Sequence, residues 1–111
     1  MDDKRNDCHV DYALSVINGK WKLLIMWHLS NEKLIRFNEL KRRINGISNL
    51  MLSKSLKELE EDKLVNRVQY NTIPPKVEYS LTELEYSLQK IILMLGEWGE
   101  MVKNNKEDYK H

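Results

Sequence analysis

The residues best suited to chemistry with a ligand lie between Arg36 and Lys57, where six basic side chains accompany one acidic side chain, Glu39. Lysine and arginine neutralise phosphate groups, and asparagine can form paired hydrogen bonds with the edge of an adenine. This combination is typical of a surface that binds DNA. The candidate contact residues in the segment are Arg42, Arg43, Ser48, Asn49, Leu50, Met51, Ser53, Lys54 and Lys57.

Two short amphipathic helices must position these side chains. Apolar residues recur at the spacing of one helical face from Phe37 to Ile44. Asn45-Gly46 then ends the first helix, because both residues tolerate the left-handed conformation that follows many helices, and Ser48 is suited to cap the second. A helix, a tight turn and a second helix form the unit that places a recognition helix in the major groove of DNA.

The second helix has one inward face and one outward face. Its inward residues are predicted to be Leu52, Ser55, Leu56 and Leu59. The N-terminal residues of a groove-bound helix approach base edges, so Asn49 is predicted to contact adenine and Leu50 or Met51 a thymine methyl group. Lys54 and Lys57 are predicted to contact phosphates. The alternative is an ordinary solvated helix, and the two arginines before the turn either reach phosphates or are plain surface charges.

A β-hairpin is predicted after the two helices. Apolar and polar residues alternate over residues 76–81, which indicates a half-buried strand. Val65 to Tyr70 is the expected partner, and the two prolines between them exclude the connecting loop from the ladder. Asn71 and Lys76 are candidate contacts to the DNA backbone, or else residues of a plain hairpin turn. The predicted fold is therefore mainly α with a small β-hairpin wing, a winged helix-turn-helix.

Two further helices are predicted on the N-terminal side. Asp11 is suited to cap a short helix over residues 12–17, which Asn18-Gly19 ends. Lys20 to Leu29 follows with almost no polar face, so neighbouring elements must enclose this helix. Residues 34–36 are expected to form one short strand.

The C-terminal helix is predicted to begin at Thr82 and Glu85, a capping box in which each side chain bonds the other residue's amide. After Lys103 the polar tail is expected to fray. Apolar residues within the helix follow each other at spacings of four and three, as in a coiled-coil seam. The residues of this heptad seam are Leu84, Leu88, Ile91, Leu95, Trp98 and Val102.

The heptad seam has two interpretations, packing on the chain's own core or pairing with a second copy. A domain of 111 residues can cover few faces of so apolar a helix, and twofold pairing is what a protein that reads palindromic sites needs. We therefore predict a homodimer formed by the C-terminal helix with help from the N-terminal one. The predicted interface residues are Tyr12, Leu88, Ile91, Ile92, Leu95, Trp98 and Val102.

The length and composition fit a single domain. Its predicted segments are N-terminal helices at 8–35, the helix-turn-helix at 36–62, the wing at 64–81 and the dimerisation helix at 82–103. The net charge of +1 conceals +6 over residues 20–76, with −2 before and −3 after that stretch, which favours a polyanionic partner. No apolar stretch is long enough to span a bilayer and the N-terminus is not a secretory signal, so a cytoplasmic protein is expected.

Catalysis and metal binding are not predicted. One cysteine and three scattered histidines provide neither a disulfide framework nor a zinc ligand set. No glycine-rich phosphate loop and no grouping of nucleophile and base is visible. We therefore expect no cofactor, no metal and no enzyme activity. The alternative to a DNA-binding protein is a winged-helix module that binds other proteins.

Taken together, these residues resemble the HxlR family of bacterial winged-helix transcription regulators. The chain departs from the family pattern at His9, Asn18, Lys63 and Glu85, none of which belongs to the DNA-facing set. The matching residues are Cys8, Ile17-Asn18-Gly19-Lys20-Trp21, Arg36-Phe37-Asn38-Glu39-Leu40, Gly46-Ile47-Ser48, Leu52, Leu56-Lys57-Glu58-Leu59-Glu60, Pro74-Pro75-Lys76-Val77-Glu78-Tyr79-Ser80-Leu81-Thr82 and Trp98.

The resemblance implies a homodimer that binds an operator and represses or activates adjacent genes. It also implies a role for Cys8, because several members of the family sense oxidants or electrophiles through a cysteine at this position. A thiolate is the reactive form, and nearby positive charge favours it; Lys4-Arg5 and His9 supply such charge, whereas Asp7 and Asp11 oppose it. The alternative is an unreactive thiol. Neither the target genes nor a small-molecule effector can be read from the sequence.

Overall fold

A computed structural model describes the backbone of residues 2–109 and the side chains of residues 9–106. The elements within that range are, in chain order, α1 (Asp2–Val16), α2 (Lys20–Ser30), β1 (Ile35–Arg36), α3 (Phe37–Arg43), α4 (Asn49–Glu61), β2 (Val65–Tyr70), β3 (Lys76–Leu81) and α5 (Glu83–Tyr109). The three strands form one antiparallel sheet in the order β1-β3-β2. This is the predicted fold class, a mainly helical winged helix-turn-helix.

The core lies between α2, α4 and the sheet. Helix α2 buries Ile25, Met26 and Leu29. Helix α4 buries the four inward residues predicted from its periodicity, Leu52, Ser55, Leu56 and Leu59. Burial of these aliphatic side chains stabilises the packing of α4 on α2 by about 1.5–3 kcal/mol for each large side chain, and it fixes which face of α4 looks outward.

One lysine of α2 is buried among these apolar residues. The Lys22 ammonium lies 2.8 Å from a carboxylate oxygen of Glu58 on α4 and 3.5 Å from the Val16 carbonyl oxygen at the end of α1. The hydrogen bond from Lys22 lowers the pKa of the Glu58 carboxyl. The hydrophobic periodicity of the sequence does not predict this ion pair. The Lys22 side chain connects its own helix, α2, to α4 through Glu58 and to α1 through the Val16 carbonyl oxygen.

The turn between α3 and α4 has the predicted chemistry. Ile44 still donates its amide to the Leu40 carbonyl oxygen at 3.0 Å, and Gly46 then has φ of 89°, which is the left-handed region that glycine tolerates best. The Ser48 hydroxyl accepts a hydrogen bond from the Met51 amide at 3.0 Å, so Ser48 is the N-cap of α4. The cap sets where α4 begins and hence which residues occupy its first turn.

The wing is a regular hairpin. Strand β3 lies in the centre of the sheet and pairs with β2 from Val65↔Leu81 to Tyr70↔Lys76. Pairing with β1 joins Ile35 to Tyr79, so the predicted short strand is present. The loop 71–75 is the segment of the hairpin that remains outside the ladder.

Two predicted helix boundaries are wrong. Helix α1 begins at Asp2 rather than after Asp11, because acidic residues in a first turn favour helix and no glycine or proline interrupts the segment. Helix α5 continues to Tyr109, whereas a frayed tail was expected after Lys103. Without a residue that stops a helix, each added turn costs little once the helix is formed.

The predicted capping box at the start of α5 forms only in part. The Thr82 hydroxyl accepts a hydrogen bond from the Glu85 amide at 3.3 Å and donates to the Lys63 carbonyl oxygen at 2.6 Å. The Thr82 amide bonds the Leu64 carbonyl oxygen instead of the Glu85 carboxylate. Glu85 is fully buried, and neither of its carboxylate oxygens has a hydrogen-bond partner. The reciprocal half of the box is therefore replaced by bonds to the segment between α4 and β2.

None of the helices in the described residues is long and apolar enough to cross a membrane.

Candidate nucleic-acid interface

The outward face of α4 is open to solvent. Leu50 is 80% exposed and Met51 37% exposed, so this face carries an apolar pair that the chain's own core does not cover. The structure places all the predicted contact residues of this helix on the exposed side, namely Ser48, Asn49, Leu50, Met51, Ser53, Lys54 and Lys57. A helix N-terminus, a short apolar pair and two lysines therefore share one accessible surface, which we call the α4 face.

The arginines of α3 are bound to carboxylates. Arg42 donates to Glu39 at 2.5 Å, and Arg43 donates to Glu39 at 2.8 Å and also pairs with Glu32. Hydrogen bonds from Arg43 and then Arg42 lower the pKa of the Glu39 carboxyl. The Arg42 side chain remains 74% exposed, whereas Arg43 is 27% exposed. Arg42 can still approach a phosphate, but Arg43 is held within a network that links α3 to the turn after α2.

The wing carries the two predicted residues and a further exposed basic residue that was not among the predicted contacts. Asn71 is exposed in the loop, and the Lys76 ammonium lies 4.7 Å from the centroid of the Tyr70 ring and 3.9 Å from Glu78. Arg67 on β2 is exposed and donates to Gln69 at 3.3 Å. Arg67 was not among the predicted contacts because apolar and polar residues alternate irregularly in β2. Its positive charge within a predicted wing strand could have indicated it.

A broad apolar surface lies away from the α4 face. The heptad seam of α5 is only partly covered by the chain's own core, since Ile91, Leu95 and Trp98 are 58%, 47% and 60% exposed. Leu88 and Val102 are half-buried at the edges of this surface. Tyr12 on α1 is 72% exposed as well. Six of the seven predicted interface residues thus remain accessible.

The seventh predicted interface residue, Ile92, points into the core. It is 9% exposed and belongs to the hydrophobic core cluster, which also contains Ile25 and Met26 of α2. Ile92 lies about 80° around the helix from the centre of the heptad seam, and that rotation turns it toward the chain's own interior. The assignment of Ile92 to a dimer interface is therefore not supported by its position.

An open cavity of about 690 Å³ separates α2 from α5. Leu24 and Trp27 of α2 form one wall and are 38% and 42% exposed, while Leu93 and Leu95 lie on the α5 side. Helix α2 was predicted to be enclosed by its neighbours, but this side of it is uncovered. The uncovered side is continuous with the heptad seam through Leu95.

Cys8 lies outside the residues whose side chains are described. Its backbone belongs to α1. Across the described side chains, no group of three or more histidine, cysteine, aspartate or glutamate residues is arranged to hold a metal ion.

Comparison with known proteins identifies the sequence family. The HxlR-like helix-turn-helix family matches residues 16–107. YybR, an HTH-type transcriptional regulator of Bacillus subtilis, is 42% identical over an alignment of 116 positions that covers 99% of this chain and 92% of YybR.

The solved structures with similar folds include a redox regulator. HypR in its reduced form has a TM-score of 0.82 and 43% identity, covering 89% of this chain and 97% of HypR. HypR in its oxidised form has a TM-score of 0.79 and 46% identity, covering 85% and 96% of the two chains.

Proposed function

The chain belongs to the HxlR-like helix-turn-helix family of transcription regulators, and we propose that it acts as a homodimer that reads a palindromic operator in the cytoplasm. The observation that carries this proposal is the α4 face. It presents Asn49, Leu50 and Lys54 to solvent at the end of a capped helix, in the position from which a recognition helix enters the major groove.

The distribution of charge favours DNA over a protein partner. Glu39 is the single acidic residue between Arg36 and Lys57, and two arginines neutralise it. Glu78 is the single acidic residue of the wing, and its side chain is 13% exposed and paired with Lys76. Neutralised carboxylates leave these two surfaces without a negative charge that would repel a polyanion, and the exposed acidic residues Glu60, Glu61 and Asp62 lie at the opposite end of α4 from Asn49.

Each residue of the α4 face has a proposed role in binding. Asn49 hydrogen-bonds an adenine edge, and Leu50 or Met51 contacts a thymine methyl group. Lys54 and Lys57 bind phosphates, which positions the helix without reading sequence. Ser48 and Ser53 flank these contacts, and in the wing Asn71, Lys76 and Arg67 are proposed to bind the backbone. Arg42 is a further phosphate contact; we leave Arg43 out because Glu32 and Glu39 hold it.

Two substitutions distinguish recognition of a base from binding to the phosphate backbone. Asn49→Ala is expected to weaken binding to the operator by about tenfold or more and to relax the preference for one base pair. Lys54→Ala is expected to weaken binding to all sequences and to reduce the slope of log affinity against log salt by about one unit. The measurement is fluorescence anisotropy with DNA from upstream of the protein's own gene, at several salt concentrations.

The matched control is Lys90→Ala, which removes an exposed lysine of α5 outside the α4 face. It should leave both the affinity and the salt slope unchanged. If Asn49→Ala and Lys54→Ala bind like the parent protein, the α4 face is not the reading surface.

The proposed dimer uses the apolar surface on α1, α2 and α5. Its members are Tyr12, Leu24, Trp27, Leu88, Ile91, Leu95, Trp98 and Val102. Leu24, Trp27 and Leu95 line one open cavity between α2 and α5, and monomeric proteins rarely expose a large contiguous apolar patch. A second copy would cover it, and the twofold axis would then present two α4 faces to two half-sites.

Cys8 is proposed to sense oxidants or electrophiles. The support is the chain's resemblance to its family and its similarity to HypR, a redox regulator whose structure is known in oxidised and reduced forms. The chain has one cysteine, so the possible products are a sulfenate, an adduct or a disulfide between the two protomers.

Oxidation should therefore change DNA binding through this thiol alone. Treatment with diamide or a quinone is expected to change operator affinity in the parent protein and to leave Cys8→Ser unaffected, as measured by anisotropy before and after addition of dithiothreitol. An equal response in the two proteins would remove the sensor role without affecting the proposal of DNA binding.

A further inference from the structure

Lys22 occupies a position that its own helix does not favour. It lies in the first turn of α2, which contains no acidic residue, and its side chain is 7% exposed. The dipole of a helix opposes a cation near the N-terminus, and lysine is almost never buried unless it is paired. The reason for a lysine at this position therefore lies in the groups that it contacts on neighbouring helices.

One of these groups belongs to α1. The Lys22 ammonium donates a hydrogen bond at 3.5 Å to the carbonyl oxygen of Val16, the last residue of α1. Carbonyl groups at a helix C-terminus lack partners within the helix and carry the negative end of its dipole. The side chains of residues 9–15 are all exposed, whereas Val16 is half-buried and packs against the core. Lys22 thus binds α1 at the point where the described part of that helix meets the body of the protein.

The other group belongs to α4. The Lys22 ammonium lies 2.8 Å from a carboxylate oxygen of Glu58, whose side chain is 39% exposed. Lys54, a member of the α4 face, precedes Glu58 by four residues, and side chains at that spacing on a helix are neighbours. The hydrogen bond from Lys22 is the main cause of the lowered pKa of the Glu58 carboxyl, and the charge of Lys54 adds a smaller effect. Two lysines therefore compete for one carboxylate.

From these contacts we propose that Lys22 is a positioning residue that couples the placement of α1 to phosphate binding by Lys54. While Lys22 holds Glu58, Lys54 is left to bind a phosphate. A displacement of α1 removes the Val16 carbonyl and admits water beside Lys22, and an ion pair in water is weak. Glu58 then pairs with Lys54, so α4 loses a phosphate contact. Because phosphate contacts carry no sequence information, affinity falls equally for every sequence.

This inference rests on the proposed DNA binding, and Lys22→Met tests it directly. Methionine keeps an apolar side chain of similar length and removes the charge. Glu58 is partly exposed, so the substitution leaves no unpaired charge in the interior, and circular dichroism should show a folded protein. We expect binding to every duplex to weaken by about tenfold, and the slope of log affinity against log salt to fall by as much as in Lys54→Ala. The measurement is fluorescence anisotropy at several salt concentrations.

A second substitution provides a rescue that loss of packing alone would not give. In Lys22→Met/Glu58→Gln the neutral glutamine cannot form an ion pair with Lys54, so both the affinity and the salt slope should return to the parental values. The matched control is Lys20→Met, which removes an exposed lysine from the same turn of α2. It should leave both quantities unchanged.

The link to α1 is tested by the reverse effect. Coupling between two sites is reciprocal, so DNA binding must stabilise the end of α1 if α1 acts on DNA binding through Lys22. The Ile17 amide donates to the Ala13 carbonyl oxygen at 3.1 Å in the last turn of α1. Its hydrogen exchange, measured by NMR, should slow when the parent protein binds the duplex and should not slow in Lys22→Met.

Three results would overturn the inference. A parental salt slope in Lys22→Met shows that Glu58 does not capture Lys54. A reduced slope that Glu58→Gln fails to restore shows that Lys22 acts through packing. Unchanged exchange of the Ile17 amide removes the link to α1. If Lys54→Ala itself keeps the parental slope, the proposed function fails as well, whereas failure of the coupling alone leaves the effect of Lys54→Ala intact.

Discussion

Leu95→Glu is expected to convert the protein from a dimer to a monomer and to abolish tight binding to a palindromic operator. Leu95 lies in the heptad seam and also borders the cavity between α2 and α5, at 47% exposure. In a twofold interface each substitution appears twice. Two unpaired carboxylates buried against apolar side chains cost several kcal/mol. Since every loss of about 1.4 kcal/mol weakens association about tenfold, we expect the variant to dissociate at micromolar concentration.

The loss of operator binding follows from the geometry of two half-sites. A dimer that holds two α4 faces makes the second contact an intramolecular event, which raises affinity by about 10²- to 10⁴-fold over a single half-site. A monomer forfeits that gain although its α4 face is unchanged. We therefore expect a fall of at least about 100-fold for the full palindrome, and little change for a duplex with one half-site.

Sedimentation or light scattering gives the oligomeric state, and anisotropy gives the affinity. Tyr86→Glu is the matched control: Tyr86 is 60% exposed on the same helix, and nine residues at about 100° each put it opposite Leu95. This control should remain dimeric. Circular dichroism checks that Leu95→Glu is folded, as its partial exposure in one copy predicts. A parent protein that is monomeric, or a dimeric Leu95→Glu, would contradict the proposed interface.

The sequence was sufficient for features that depend on local chemistry. Gly46 and Ser48 indicated the turn, and the spacing of Leu52, Leu56 and Leu59 gave the buried face of α4. These predictions rest on backbone conformation and helical period, which neighbouring residues in the chain determine. The position of the α4 face followed directly from them.

The features that could not be predicted depend on contacts between distant segments. Lys22 on the most apolar helix meets Glu58, and Arg43 meets Glu32; no local pattern specifies either pair. Ile92 was predicted to lie in the dimer interface. Helical spacing shows which residues share one face of a helix, but it does not show which element packs against that face. Ile92 belongs to the hydrophobic core of its own chain, so the seam begins beside it.

Glu85 shows how such a distant contact changes a predicted local motif. A glutamate three residues after a threonine should bond the threonine amide, but the Leu64 carbonyl oxygen occupies that amide. The Glu85 side chain is then left inside the protein with both oxygens unpartnered. Burial raises the pKa of the Glu85 carboxyl to about 7, and the nearby Gln89 amide offsets only a fraction of this effect.

Stability is accordingly expected to fall as pH rises. Below the ordinary carboxyl pKa of 4.5, Glu85 is protonated in both the folded and the unfolded chain. Between that value and about 7 the folded state keeps a proton that the unfolded state has released, so each pH unit lowers the free energy of unfolding by about 1.4 kcal/mol. Above that range the loss from Glu85 is complete, at about 3 kcal/mol.

Glu85→Gln should remove this dependence, because the amide is neutral at every pH and has nearly the same shape. We expect the variant to be more stable than the parent protein at pH 8 by about 2–3 kcal/mol, and to differ much less at pH 5. Urea unfolding at several pH values gives both numbers. Glu83→Gln, an exposed residue in the same turn of α5, is the control that should follow the parent protein. If Glu85→Gln were equally destabilised at both pH values, the carboxylate would instead have a hydrogen-bonding partner, and its burial would not govern its ionisation.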